Sequence, residues 1–277
     1  MPDLMCLYWT TSGVFPGEGD TSRFSFADRV REAARAGFKG IGIWHTDLEA
    51  TARKLGFKEM RRILEDHGLR YLEVEFLTDW FVDGEKKRES DKRKQLLLEA
   101  SAALGAHHVK VGDFDCTPCE LPRLVEGFAA LCADAARVGA TVAFEPMPSS
   151  MIHSLPDCLR MVEEAAAPNG GLALDISHMT NLGISTGDIR RIPRGRLVCV
   201  ELNDTTLPGS PRHDPARVRR FCGEGELDIR GFIRAVQDAG YRGPWAVEVF
   251  SPELARLPLP DLSERAYQTT AAQFEPR

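Results

Sequence analysis

The chain has 277 residues, is 43% hydrophobic and 27% charged, and sets 35 Lys and Arg against 41 Asp and Glu for a net charge of −6. Such a composition suits a globular protein with a large core, and the acidic balance speaks against a nucleic-acid partner. No apolar run exceeds six residues (Leu4–Trp9, Phe128–Ala133), which excludes the ~18-residue stretch of a membrane-spanning helix. The opening residues lack the basic start and apolar core of a secretory signal, and seven scattered cysteines read as reduced thiols, so the expected location is cytoplasmic.

In chain order, apolar strand-like runs fall at Leu4–Thr10, Gly40–Asp47, Leu69–Leu77, Ala106–Asp113, Ala140–Pro146, Gly171–His178, Arg196–Asn203 and Pro244–Phe250. Gly37, Gly68, Gly105, Gly139, Gly170/Gly171, Gly195 and Gly240 precede the last seven, at intervals of 31, 37, 34, 31, 25 and 45 residues. Each interval accommodates one strand and one crossover helix, and a glycine there supplies the left-handed end of the helix. Between the strands, Leu121, Leu124, Val125, Phe128, Leu131, Cys132, Ala135 and Val138 keep helical spacing, as do Ile229, Phe232, Ile233 and Val236. Strict alternation predicts an α/β fold, a closed (β/α)8 TIM barrel forming a single domain over residues 1–277. An open doubly wound sheet is the alternative. No G-x-G-x-x-G follows the first strand, so no nucleotide cofactor is expected. Lys86–Lys94 reads as a solvated helix face, and Cys116-x-x-Cys119, lacking a second pair, as a loop.

In a barrel, function belongs to the C-terminal strand ends and the loops that follow them. Four consecutive strands end there in carboxylates set in apolar sequence: Glu145 in VAFEP, Asp175 in LALD, Glu201 in VCVEL and Glu248 in WAVEVF. Converging buried anions repel unless a cation neutralises them, and an oxygen donor set favours one Mn²⁺ or Mg²⁺. The blander alternative is that one or two of them are salt-bridged to Arg or Lys at the barrel mouth. Further candidates for substrate binding are His178, three residues past Asp175, with His45, Glu75 and His108 near other strand ends. Met147 and Phe15 read as an apolar wall, and Thr11–Arg23, Thr78–Lys87 and Thr205–Val218 as the loops around the pocket. Arg219 and Arg220 precede a glycine-bearing loop, Gly223-Glu224-Gly225, and Arg220 is taken as the ligand-facing one; Asp228 caps the helix beyond.

The ordered motifs Glu145-Pro146, Asp175-x-x-His178, Val200-x-x-Asn203-Asp204, Gly223-Glu224-Gly225-x-x-Asp228 and Val247-Glu248-Val249 resemble the xylose-isomerase-like TIM-barrel superfamily. The nearest resemblance within it is to the sugar phosphate isomerase/epimerase group, with its ketose 3-epimerases, keto-inositol isomerases and inosose dehydratases. The resemblance implies that Glu145, Asp175 and Glu248 bind metal and that His178 and Arg220 contact substrate. It also implies that Glu145 and Glu248 exchange the proton, and it allows a homodimer. On strand seven this group usually carries a metal-binding His, where this chain has Glu201; either Glu201 ligates as an anion or water takes that place.

The implied activity is that of a metal-dependent isomerase or epimerase of carbohydrate metabolism. Its substrate would be a small keto-sugar or keto-polyol, deprotonated next to the carbonyl to an enediolate. The same site could serve a lyase, either a keto-inositol dehydratase or an eliminase of 3-keto-glycosides. Endonuclease IV-like DNA repair would need more histidines and a basic face. A non-catalytic binding subunit is the remaining alternative.

Overall fold

The apolar runs become eight parallel strands in a computed structural model that describes residues 1–207 and 219–275. They are β1 (Leu4–Cys6), β2 (Gly40–Trp44), β3 (Tyr71–Leu77), β4 (His108–Val111), β5 (Thr141–Phe144), β6 (Gly170–Asp175), β7 (Leu197–Leu202) and β8 (Trp245–Val247). Each pairs with the next, and β8 closes on β1 with Leu4, Met5 and Cys6 opposite Trp245, Ala246 and Val247. The expected closed barrel is the fold, and the open sheet is excluded. Among the described residues no helix is long and apolar enough to cross a membrane.

Period-two alternation sorts the side chains. Leu72, Val74, Val109, Val111, Val200 and Leu202 join the large apolar layer between strands and helices, while Met5, Leu7, Ala143, Ala173, Cys199 and Ala246 form a separate small cluster. The helices contribute as their spacing predicts: Leu124, Phe128, Leu131, Cys132 and Ala135 of the helix Leu121–Ala136 are all buried. Asp228 caps Ile229–Asp238 by accepting the Gly231 N–H at 2.9 Å. Gly37 ends the helix Phe26–Ala36 at φ 116°, and a Cβ there would lie 2.6 Å from the Tyr267 ring.

The strands are shorter than the apolar runs because several runs turn helical just past the barrel. Tyr8–Thr11 forms a short helix, His45 opens the helix His45–Leu55, and Ile176–Asn181 follows β6 directly. For the last, Asp175 is the cause: its Oδ1 accepts the Ser177 and His178 N–H groups at 2.7 and 3.0 Å. A buried pair outside the barrel fixes the first loop. Arg29 is hydrogen-bonded to Asp47 Oδ2, and Asp47 Oδ1 accepts the Ser22 N–H at 2.9 Å.

Candidate active site

Parallel strands bring their C-terminal residues to one level, and register shows which side chains meet. Asp175 stands opposite Glu201 across β6 and β7, and Trp44 opposite Glu75 across β2 and β3. Beyond the strand ends lies a cavity of about 720 Å³ whose lining includes Glu75, Lys110, Glu145, His178, Arg219 and Glu248. One oxygen each from Glu145, Asp175, Glu201 and Glu248 lies within 4.8 Å of the other three, so the four predicted carboxylates do converge.

Two protein cations stand among them. Lys110 Nζ is 2.9 Å from Glu201, 2.9 Å from Glu75, 3.2 Å from Glu248, 3.4 Å from Glu73 and 4.0 Å from Glu145. Arg219 Nη1 lies 2.9 Å from Asp175 Oδ2 and 2.5 Å from Glu248 Oε2, and Nη2 is 3.2 Å from His178 Nε2. The sequence leaves open a metal or salt bridges to Lys or Arg as the neutralising charge, and Lys110 and Arg219 supply part of it. Lys110 was legible in part. It shares strand parity with His108 in an otherwise apolar H-V-K-V run, and a lysine so placed faces the barrel axis.

The charges set one another's protonation. Burial opposes ionisation of Asp175, yet Arg219, His178 and the Ser177 hydroxyl hold its carboxyl at about 2. Burial likewise opposes Glu73, which Lys110 and His108 hold at about 2. Burial dominates at Glu145, pushed up to about 8 against the pull of Lys110, and drives Glu75 and Glu201 well above the ordinary carboxylate range. Burial opposes the charge on Lys110 too, but its carboxylate neighbours keep it firmly protonated. His178 is pushed down to about 4 by burial, so its ring is neutral near pH 7. Since Arg219 donates to its Nε2, the ring proton sits on Nδ1.

Other expectations need correction. Arg220 is exposed and bridges Asp204 through its backbone, while Arg219 reaches the cavity. Adjacent residues in an extended segment point to opposite sides, so only one of the two can face the site. His108 does not line the cavity; two residues before Lys110 on β4, it sits about 6–7 Å nearer the N-terminal end of the barrel. There its Nε2 meets Glu73 Oε2 at 2.5 Å, and its Nδ1 meets His107 Nδ1 at 3.0 Å. His45 also stays out of the lining, tucked against Trp44 at 4.9 Å with its Nδ1 accepting the Phe76 N–H at 3.4 Å.

Glu75, His178, Phe15 and Met147 line the cavity, with Pro16 and Asp20 of the first predicted loop and Thr205 and Thr206 of the last. Residues 208–218 of that last loop lie outside the described residues. The loop Thr78–Lys87 contributes no lining residue, and Cys116 and Cys119 belong to none of the potential metal-binding groups among the described residues.

The donor set itself tests the fit of a hard divalent ion. Around such an ion at ~2.1 Å, neighbouring oxygens lie about 3 Å apart and opposite ones about 4 Å. The span of the quartet is compatible with that arrangement, all four donors are oxygens, and Glu201 Oε2 is buried without a hydrogen-bond partner. Six buried carboxylates, counting Glu73 and Glu75, face two fixed cations, so further positive charge suits the site.

A closed (β/α)8 barrel with acidic residues gathered at the C-terminal strand ends defines the class of protein. The chain belongs to the xylose isomerase-like TIM barrel family, which it matches over residues 30–273. The 3-dehydroshikimate dehydratase of Pseudomonas putida is 25% identical over 83% of this chain and 37% of its own length. The inosose isomerase of Halalkalibacterium halodurans is 26% identical over 48% of this chain and 47% of its own. The chain thus spans less than half the length of either relative. Among solved structures, the IOLI protein with a bound zinc atom superposes with a TM-score of 0.85 at 18% identity, covering 99% of this chain and 98% of that one. The named relatives are enzymes, an isomerase and a dehydratase, and the structural likeness concerns the fold.

Proposed function

We propose that the protein moves a proton on the carbon beside the ketone of a polyhydroxylated substrate, as a divalent-metal-dependent isomerase or epimerase of keto-sugars or keto-polyols. The gathering of Glu145, Asp175, Glu201 and Glu248, of which Glu145 and Glu248 line the cavity, carries this reading. These four would hold one Mn²⁺ or Mg²⁺, which supplies Lewis acidity toward the carbonyl and a neighbouring hydroxyl. The zinc atom bound in the similar IOLI structure supports a divalent metal in this chain.

The remaining work falls to side chains. Glu145, which lines the cavity beside His178, would take the α-proton, and Glu248, three strands further round the barrel, is placed to return a proton to the other face. Lys110 and Arg219 offset the surrounding negative charge, so an anionic enediolate can form among carboxylates. Neutral His178, 3.5 Å from Glu145 at the cavity edge, can hydrogen-bond a substrate hydroxyl.

The test is α-proton exchange of keto-sugars and keto-inositols in D₂O, followed by NMR. Glu145→Gln and Glu248→Gln each lower exchange at least ~10²-fold with an unchanged circular dichroism spectrum; near-wild-type exchange in either refutes the assignment. Metal analysis after incubation with Mn²⁺ gives about one equivalent in the wild type and less in Glu201→Ala. No bound metal in either protein removes the Lewis acid.

A second reading has its own support: the dehydratase of Pseudomonas putida matches 83% of this chain. The same carbanion can expel a β-hydroxyl, and an unsaturated ketone among the products identifies a lyase.

A further inference from the structure

We propose that the substrate ring carries an aromatic substituent, with the keto-polyol on the ionic floor and the substituent in an aromatic gallery above it. The inference rests on the keto-polyol reading and adds the chemical class of the second half of the substrate. A keto-hexose has twelve non-hydrogen atoms. Even at the ~30 Å³ that liquid water allots each molecule, it fills only about half of the 720 Å³ cavity.

The rest of the space is walled by rings. Trp9, Trp44, Phe76 and Phe114 form a continuous series with centroid separations of 5.1, 6.1 and 4.8 Å, the last two pairs being stacked at 19° and 27°. Lys110 Nζ lies 6.0 Å from the Phe76 ring, so the series borders the ionic floor at its third ring. It ends at Phe114, 46% exposed, which with Met1 and Leu207 makes up the exposed large hydrophobics among the described residues. Phe15 and Phe250, 6.2 Å apart, add a further pair to the lining, with the Arg219 guanidinium 4.4 Å from the Phe250 ring. One or two rings suffice to stack on the apolar face of a sugar; this series runs past that need.

The gallery is also built to stay in place. The Asp113 carboxylate accepts N–H bonds from Asp115 at 3.1 Å, Thr117 at 3.1 Å and Met151 at 2.9 Å, pinning the loops on both sides of Phe114 and Met147. Gly112 leaves room for both walls: a Cβ there would lie 2.6 Å from Phe76 and 3.0 Å from Met147. Phe114 thus keeps its exposed apolar face on a tied loop, beside a cavity whose floor is ionic.

Unreactive glycosides separate this inference from the chemistry. Phenyl and methyl β-glucopyranoside, which lack the ketone, are titrated into the protein while tryptophan emission is recorded, since Trp9 and Trp44 line the cavity. The phenyl glycoside binds at least ~10-fold more tightly, the scale of one added aromatic contact. Phe114→Ala and Gly112→Ala each bring the phenyl-to-methyl affinity ratio toward one. Equal affinities in the wild type, or binding of neither glycoside, overturn the inference. In parallel, the phenyl and methyl 3-keto-glucosides are assayed for α-proton exchange. Exchange of both without a phenyl preference sinks the aromatic subsite alone, whereas a phenyl preference without any exchange sinks the proposed chemistry.

Discussion

Replacing Lys110 with Met exposes how the barrel tolerates so many acids. The ammonium is 1% exposed and stands within 3.4 Å of four carboxylates, on Glu73, Glu75, Glu201 and Glu248. At an effective dielectric of ~20, unit charges 3 Å apart interact by about 5 kcal/mol. The desolvation of the ammonium offsets much of that sum, and removing one partner of a buried ion pair costs roughly 3–5 kcal/mol. Lys110→Met in EDTA therefore loses about 3–5 kcal/mol of stability, read from urea unfolding followed by tryptophan emission.

The loss depends on pH. Without the ammonium, the burial that already holds Glu75 and Glu201 high raises them further above their unfolded values. The folded variant then binds more protons than the unfolded chain, so its stability falls as pH rises, and the deficit is wider at pH 8 than at pH 6. Added Mn²⁺ restores the variant more than it stabilises the wild type, because an ion and the ammonium answer the same carboxylates. A loss under ~1 kcal/mol at pH 8 in EDTA would show that these acids are neutral without help, and the reasoning would fail.

Arg219→Met is expected to weaken both stability and α-proton exchange, whereas Arg220→Ala changes exchange less than about twofold, since its side chain is exposed; parallel exchange assays compare them. Arg29→Met strands the buried Asp47 carboxylate and lowers stability by roughly 3–5 kcal/mol in urea unfolding; a loss near zero would contradict the pairing. Burial pushes His45 down to about 3, so between there and its ordinary 6.5 the unfolded chain binds a proton that the folded one refuses. Stability is lost as the solution is acidified through that window. His45→Asn, which keeps an acceptor for the Phe76 N–H, should flatten stability against pH by up to one proton, about 1.4 kcal/mol per pH unit between pH 4 and 6.

Much of the architecture is legible because each unit repeats the same local grammar. A glycine ends a helix, an apolar run follows, and a polar residue stands where the run stops. Glu145, Asp175, Glu201 and Glu248 stand out because a carboxylate inside VAFEP or VCVEL has no solvent-facing explanation. Strand ends were harder to read. An apolar run does not distinguish a strand from the first turn of a helix, so Tyr8–Thr10 and Ile176–His178 read as strand although they open the helices Tyr8–Thr11 and Ile176–Asn181. Depth and side decide the other differences. Lys110 and His108 face the same interior at different depths, and depth follows from register between strands, which one chain alone does not reveal. Arg219 and Arg220 differ only by which side of an extended segment each occupies.

The Lys110 cluster also bears on how such a barrel could be divided. The partners of this one side chain lie on β3 and β7 and one residue past β5 and β8, so a single residue of β4 registers the presence of strands from both halves of the molecule. A fragment ending after β4 would keep the cation with only Glu73 and Glu75, and the complementary fragment would hold Glu145, Asp175, Glu201 and Glu248 around Arg219 alone. Neither half is electrically complete. The polar axis therefore makes each half depend on the other for its charge balance, as a barrel filled with Val and Leu would not.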